Sequence, residues 1–167
     1  MAPLLDKLRA LPRGALAELR RGIEKESLRT RPDGSLALTP HSARLGSALT
    51  HPHITTDFSE SQLELITGVH PDADACLQEL TEIHQVVARA VGEEVLGASS
   101  MPCNLPGDDA IPLGRYGTSN VGRSKTVYRM GLSYRYGRRM QTISGIHYNF
   151  SLPGVSTPKY FALIRNF

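Results

Sequence analysis

Met140-Gln-Thr-Ile-Ser-Gly-Ile-His-Tyr-Asn-Phe150 is the stretch on which the reading of this chain turns. Its alternation predicts a β-strand, because successive side chains of a strand point to opposite faces. Met140, Thr142, Ser144, Ile146, Tyr148 and Phe150 then share a face with the character of core. Gln141, Ile143, Gly145, His147 and Asn149 share the other, which lines up two amides and an imidazole at two-residue steps. Such a face is either the wet side of an antiparallel sheet or a surface built to hold a polar ligand.

Immediately upstream, Val127, Met130, Gly131 and Tyr134 recur at i, i+3, i+4 and i+7, which predicts a helix feeding that strand. This region is basic. Arg115, Arg123, Lys125, Arg129, Arg135, Arg138 and Arg139 fall within 25 residues, interleaved with Tyr116, Tyr128, Tyr134 and Tyr136. Nucleic acid, a small anionic substrate and a merely solvated basic helix face all fit this composition. Gly114 to Thr126 has glycines at 117 and 122 with P-loop spacing, but Arg123-Ser124 stands where Lys-Ser/Thr is required and no apolar strand precedes it.

A length of 167 residues suffices for one domain with its own core, and 40% apolar with 21% charged residues fits a soluble globular chain. Its net charge of +3 is modest, so the basic stretch stands out by position rather than amount. No run approaches the ~20 apolar residues of a membrane span and no leader-like segment opens the chain, so a cytoplasmic protein is expected. Cys76 and Cys103 do not form a CxxC pair and support neither a zinc ribbon nor a disulfide framework.

Toward the N-terminus, Leu4, Leu5, Leu8 and Leu11 predict a helix stopped by Pro12, and Leu16 with Leu19 a second short one. Arg21 to Thr30, then Arg31-Pro-Asp-Gly34, then Ser35 to Leu38 read as a hairpin. On its first arm Glu24 and Glu26 share a face with Cα atoms ~7 Å apart. Residues 40–54 read as a loop ending in His51-Pro-His53, which lacks a local third metal ligand. Gln62 to Thr67 alternates, with Gln62, Glu64 and Ile66 on one face and Leu63 and Leu65 on the other. Asp57 precedes it as a cap or a further carboxylate. Pro71 opens a helix whose stripe is Ala73, Cys76, Leu77, Leu80, Ile83, Val87, Ala90 and Val91, expected to cover a sheet, and residues 97–114 form a long Gly/Pro-rich connection.

Three strands thus present Glu24 and Glu26, Glu64, and His147, with Asp57 nearby. Carboxylates gathered in such numbers repel unless cations neutralise them, and hard divalent ions take oxygen ligands with an occasional imidazole. A magnesium cluster beside a basic helix points to phosphoryl transfer from a nucleotide.

Longer motifs carry a resemblance. Gly22-Ile-Glu-Lys-Glu-Ser-Leu-Arg29, Leu49-Thr-His, Ile54-Thr-Thr-Asp-Phe-Ser-Glu60, Leu63-Glu-Leu-Ile-Thr67, Tyr116-Gly-Thr-Ser-Asn120, Tyr128-Arg129 and Met140 through Pro153 resemble the N-terminal part of proteobacterial glutamate-cysteine ligases, over about residues 20 to 153. The resemblance implies an α+β fold, a mainly antiparallel sheet with covering helices, forming one part of a glutamine-synthetase-like funnel. It implies ATP-dependent ligation of the glutamate γ-carboxylate to cysteine through a γ-glutamyl phosphate, the first step of glutathione synthesis. Mg2+ or Mn2+ would be the cation, with Glu24, Glu26, Asp57, Glu64 and His147 as its ligands. It also implies that Tyr128, Arg129, Leu132, Gln141, Ile143 and Asn149 lie near the amino-acid substrates; cationic groups stabilise the charge developing on a transferred phosphoryl group, and Arg129 is the best local candidate for that catalytic role.

Members of this family are considerably longer, so the sequence is expected to be a fragment, one incomplete catalytic domain over residues 1–167 whose C-terminal partner segment is missing. A truncated, non-catalytic metal- or ligand-binding relative is the alternative. Binding of nucleic acid through the basic helix ranks last, because it leaves the aligned carboxylates unexplained.

Overall fold

The computed structural model describes residues 6, 9, 10, 14, 16–102 and 104–166. The expected helix through Leu4, Leu5, Leu8 and Leu11 and its stop at Pro12, along with Cys103 and Phe167, lie outside the described residues. Leu16 and Leu19 stand in turns rather than in a second helix, with Ala17 N–H donating to Gly14 O at 2.9 Å and Leu19 N–H to Leu16 O at 3.2 Å.

The architecture is built on one long strand, β1 (Arg20–Thr30), which hydrogen-bonds on both edges. On one edge lies β3 (Gln62–Ile66), with β2 (Ile54–Thr56) beyond it; on the other lie β5 (Ile146–Ser151), along the first half of β1, and β4 (Val95–Leu96) at its end. Every pairing is antiparallel. The turn at Arg31-Pro-Asp-Gly34 forms as expected: Gly34 has φ +80°, which glycine adopts without steric cost, and Arg31 N–H donates to Ser35 O at 2.8 Å. Among the described residues the sheet is accompanied by helices α1 (Ala73–Ala90), α2 (Asn120–Tyr136) and α3 (Thr157–Arg165).

Helix α1 starts where Asp72 caps it, accepting from Ala75 N–H at 2.9 Å. It buries Cys76, Leu80, Ile83 and Val87, and Leu80, Ile83 and Val87 pack with Leu63 and Leu65 of β3, Ile54 of β2 and Leu45. This is the larger core. Leu77, counted in the same stripe by spacing, is exposed. A smaller cluster of Leu28, Leu36 and Ile111 packs on the other face of β1.

Two expectations are corrected. The strand begins only at Ile146, because residues 139–142 form a 3-10 turn. Gly137 ends α2 at φ +78°, and Asp108 then receives the backbone N–H groups of Arg138 and Arg139 at 3.0 and 2.8 Å. Those bonds wind the chain and leave Gln141 off the strand face. Ile146, Tyr148 and Phe150 do lie on the core side, opposite Lys25, Ile23 and Arg21, but they are exposed, Ile146 at 66%. Helix α1 packs on β1 and β3. The Val127, Met130 and Tyr134 stripe of α2 is likewise exposed, Tyr134 at 86%.

Replacing Leu65, which is fully buried beneath α1, by alanine is expected to destabilise the chain by about 2–5 kcal/mol. Urea unfolding followed by circular dichroism measures it; a loss below about 1 kcal/mol would mean that the site repacks.

Candidate active site

Strand register gathers the acidic residues. Directly opposite residues of an antiparallel pair project to the same face with Cβ atoms roughly 4.5–5.5 Å apart. Glu26 pairs with Glu64, Glu24 with His147, and Gly22 with Asn149. Asp57 enters from the β2–β3 hairpin, where its N–H donates to Gln62 O at 3.0 Å.

The acids interact. Burial first, then the charges of Asp57, Glu24 and Glu26, push the Glu64 carboxyl up to about 7, with His147 opposing. Burial also raises Glu26, with the charges of Asp57 and Glu24 adding to it and the Gly145 N–H and His147 opposing. Glu24 meets His147 Nδ1 at 3.3 Å and accepts from Asn149 Nδ2 at 3.0 Å. Glu26 accepts from Gly145 N–H at 2.8 Å. Among the described residues no three His, Cys, Asp or Glu side chains already surround one point as a finished ligand shell. By chemistry the donor set nevertheless fits a hard divalent ion: several carboxylates and one imidazole on one face, with a repulsion that a cation relieves.

The other expected residues fall into two groups. Asn149 belongs to the acidic face through Glu24, and Ile143 reaches it through its carbonyl, 3.5 Å from Gln62 Nε2. Gln141 stands in the 3-10 turn just before them. Tyr128, Leu132 and Arg129 lie on α2, where Tyr128 and Leu132 line a shallow recess with Gly131 and Arg135. A separate cleft of about 300 Å³ opens beside Glu24 and Asn149, between Gly22 and Thr67-Gly68.

Arg129 is tied to the site through backbone. Its Nε donates to the Asp57 carbonyl, its Nη1 to Lys125 O at 3.0 Å, and its guanidinium lies 4.6 Å from the centre of the Tyr116 ring. The buried Tyr116 hydroxyl sits 2.7 Å from the carbonyl oxygens of both Thr56 and Asp57. Gly122 permits this close approach, since a β-carbon there would collide with the Tyr116 carbonyl. Of the two glycines with P-loop spacing, Gly122 thus serves packing, while Gly117 takes a left-handed backbone at φ +85°.

Sequence reasoning missed Gln62 as part of the site, although the alternation already placed it beside Glu64. It is fully buried, and its Nε2 faces Ser144 Oγ, Glu26 Oε2 and Ile143 O. Also missed was the buried Arg29, which pairs with Glu94 at 2.6 Å and donates to Thr39 O and Glu60 O at 2.7 and 3.0 Å.

With this geometry in view, the comparisons decide the family. The glutamate-cysteine ligase family model matches residues 5–166. The chain belongs to that family. The Alcanivorax borkumensis glutamate–cysteine ligase is 52% identical over an alignment of 170 positions, which takes in 91% of this chain and 32% of that protein. The Pseudomonas aeruginosa glutamate–cysteine ligase is 47% identical over 190 positions, covering 100% of this chain and 36% of that protein. The chain thus spans about a third of the length of the curated relatives it matches. A crystal structure of the Francisella tularensis glutamate–cysteine ligase in complex with AMP superposes with a TM-score of 0.79 at 42% identity, over 90% of this chain and 29% of that one. A bifunctional glutathione synthetase from Pasteurella multocida gives a TM-score of 0.75 at 39% identity, over 90% of this chain and 19% of that one. The α+β, mainly antiparallel architecture with covering helices is that of this ligase family member. Among the described residues no helix is long and apolar enough to cross a membrane.

The raised Glu64 gives a pH signature. An unfolded chain releases this proton near 4.5 and the folded chain near 7, so stability falls as pH rises between those values and stays lower above them. In the absence of divalent ions Glu64→Gln is therefore expected to raise the melting temperature at pH 8 and to change it little at pH 4. A melting temperature that Glu64→Gln leaves unmoved at pH 8 would remove the strain inferred for this face.

Proposed function

We propose that this chain supplies the cation-holding sheet face and part of the amino-acid site of a glutamate–cysteine ligase. In that reaction a glutamate γ-carboxylate oxygen takes the γ-phosphoryl group of ATP, releasing ADP. The cysteine amine then attacks the acyl phosphate, phosphate leaves and an amide bond forms. The observation that carries the reading is the register that sets Glu26 beside Glu64 and Glu24 beside His147, with Asp57 acting on both Glu26 and Glu64.

Glu24, Glu26, Asp57, Glu64 and His147 would hold the ions, Mg2+ or Mn2+. When bound, such ions neutralise phosphate charge and align donor and acceptor. The chain's own residues do the rest. Asn149 and His147 hold the Glu24 carboxylate, and Gly145 N–H and Gln62 hold that of Glu26. Arg129, beside Asp57, contributes positive charge for the transferred phosphoryl group, and Tyr116 fixes the Asp57 backbone from below. Gln141, Ile143 and Asn149 at one border, and Tyr128 and Leu132 on α2, contribute to binding glutamate and cysteine. The cytoplasm is the compartment that this chemistry fits.

A second reading, a metal- or ligand-binding relative without turnover, is favoured by the exposure of β5 along its length. One pair of measurements separates the two. Calorimetric titration with Mn2+ is expected to show binding that Glu26→Gln and Glu64→Gln each weaken by about tenfold or more, about 1.4 kcal/mol. Phosphate release that requires ATP, glutamate and cysteine together supports the ligase; Mn2+ binding with no such release supports the second reading. Binding unaffected by either substitution would defeat both.

A further inference from the structure

We infer that Gln62 is a positioning residue that locks the acidic face to the segment carrying the amino-acid side of the site, so that the two are set together. The inference rests on the assignment of that face to divalent cations.

Gln62 opens β3, opposite Leu28 of β1, and its side chain is wholly buried. Its Nε2 has two protons and three acceptors within reach: Ser144 Oγ at 3.2 Å, Glu26 Oε2 at 3.4 Å and Ile143 O at 3.5 Å. One acceptor belongs to β1, and two belong to the link that joins the 3-10 turn to β5. The same link bonds β1 through its backbone, with Gly145 N–H donating to Glu26 Oε2 at 2.8 Å and Glu26 N–H donating to Gly145 O at 3.0 Å. Gln62 closes this ring from a third strand.

Position along the chain gives the ring its consequence. Gln141 and Ile143 stand at or just before the link, and His147 and Asn149 follow it. A shift of the link therefore moves the Glu26 and His147 donors together with Gln141, Ile143 and Asn149.

A purely structural role fits poorly. Gln62 Oε1 is buried and has no hydrogen-bond partner among the described residues. An unpaired buried acceptor lowers stability, whereas an apolar side chain of similar length at this position would extend the cluster of Leu28, Leu36 and Ile111 beside it. What the amide offers is its donor end, and that end is spent on Glu26 and the link.

Gln62→Met keeps length and volume and removes the donor. In the intact chain we expect its melting temperature to be equal to or above that of the parent, while the Mn2+ dissociation constant rises about tenfold, the scale on which lost ligand-orienting hydrogen bonds act. A folded variant with unchanged Mn2+ affinity overturns the inference, and a lowered melting temperature with unchanged affinity reduces Gln62 to a packing role. Should Gln62→Met fail to fold, Mg2+ titration of the parent followed by 1H–15N spectra decides. The Gln62 side-chain amide and the Gly145 backbone amide are expected to shift with one midpoint; a Gln62 resonance that does not move overturns the proposal. Failure of the cation assignment is separately visible: the parent chain would then bind no Mn2+, or would bind it equally well after Glu26→Gln and Glu64→Gln.

Discussion

Like charge on a shared sheet face is the constraint around which this chain is arranged. Once β1 pairs with β3 and β5 in the observed register, Glu26 and Glu64 are neighbours across strands, and Glu24 is set beside His147. Carboxylates so placed destabilise a sheet, and partial burial makes Glu26 and Glu64 less willing to ionise. The donors nearby answer that cost in part: Gly145 N–H and the Gln62 amide serve Glu26, while Asn149 and His147 serve Glu24. Among the described residues no hydrogen bond answers it for the Glu64 carboxylate, which burial and then the charges of Asp57, Glu24 and Glu26 push up to about 7. Stability comes instead from the opposite face, where α1 seals Leu63 and Leu65 against Ile83 and Val87.

Three other acids show by contrast what a structural carboxylate looks like here. Glu60 accepts the backbone N–H groups of His41 and Arg115 at 2.9 and 2.7 Å; Glu94 is paired with the buried Arg29; Glu79 binds His70 and the Gly68 N–H. Each is consumed by a fixed partner. The basic residues divide in the same way. Arg138 and Arg139 brace the 106–111 segment through its carbonyls, and Arg129 and Lys125 pack over Tyr116. These contacts spend much of the basic stretch on tying α2 and its following turn to the site, which weakens the reading of it as a free surface for nucleic acid.

Much of this was legible in the sequence where the signal was local. Period-two alternation found the faces of β1 and β3, Pro-Asp-Gly marked the turn that ends β1, and the apolar stripe after Pro71 found α1. What failed was long-range. Alternation alone extends the last strand back to Met140, because nothing in that segment announces that Asp108, some thirty residues upstream, will bind two successive N–H groups and wind the chain into a 3-10 turn. The face assignment of Tyr148 and Phe150 was right and their burial was not, since spacing gives the side a residue points to but not whether a helix lies over it. Gln62 was placed on the correct face and overlooked because a neutral amide among acids carries no motif of its own.

Hydrogen bonding within these residues holds the acidic face together. The strands that contribute acidic or imidazole groups are joined inside this chain, with β3 and β5 each paired to β1, and Asp57 is fixed by Gln62 of the same hairpin and by Tyr116. The spacing of Glu26 from Glu64 and of Glu24 from His147 is therefore an internal property of these residues. The core-side face of β5 differs, because Ile146 and Tyr148 lack the cover that α1 gives to β3. The geometry of the acidic face and the cover over β5 thus depend on different parts of the fold: the first on strand register, the second on what packs against Ile146 and Tyr148.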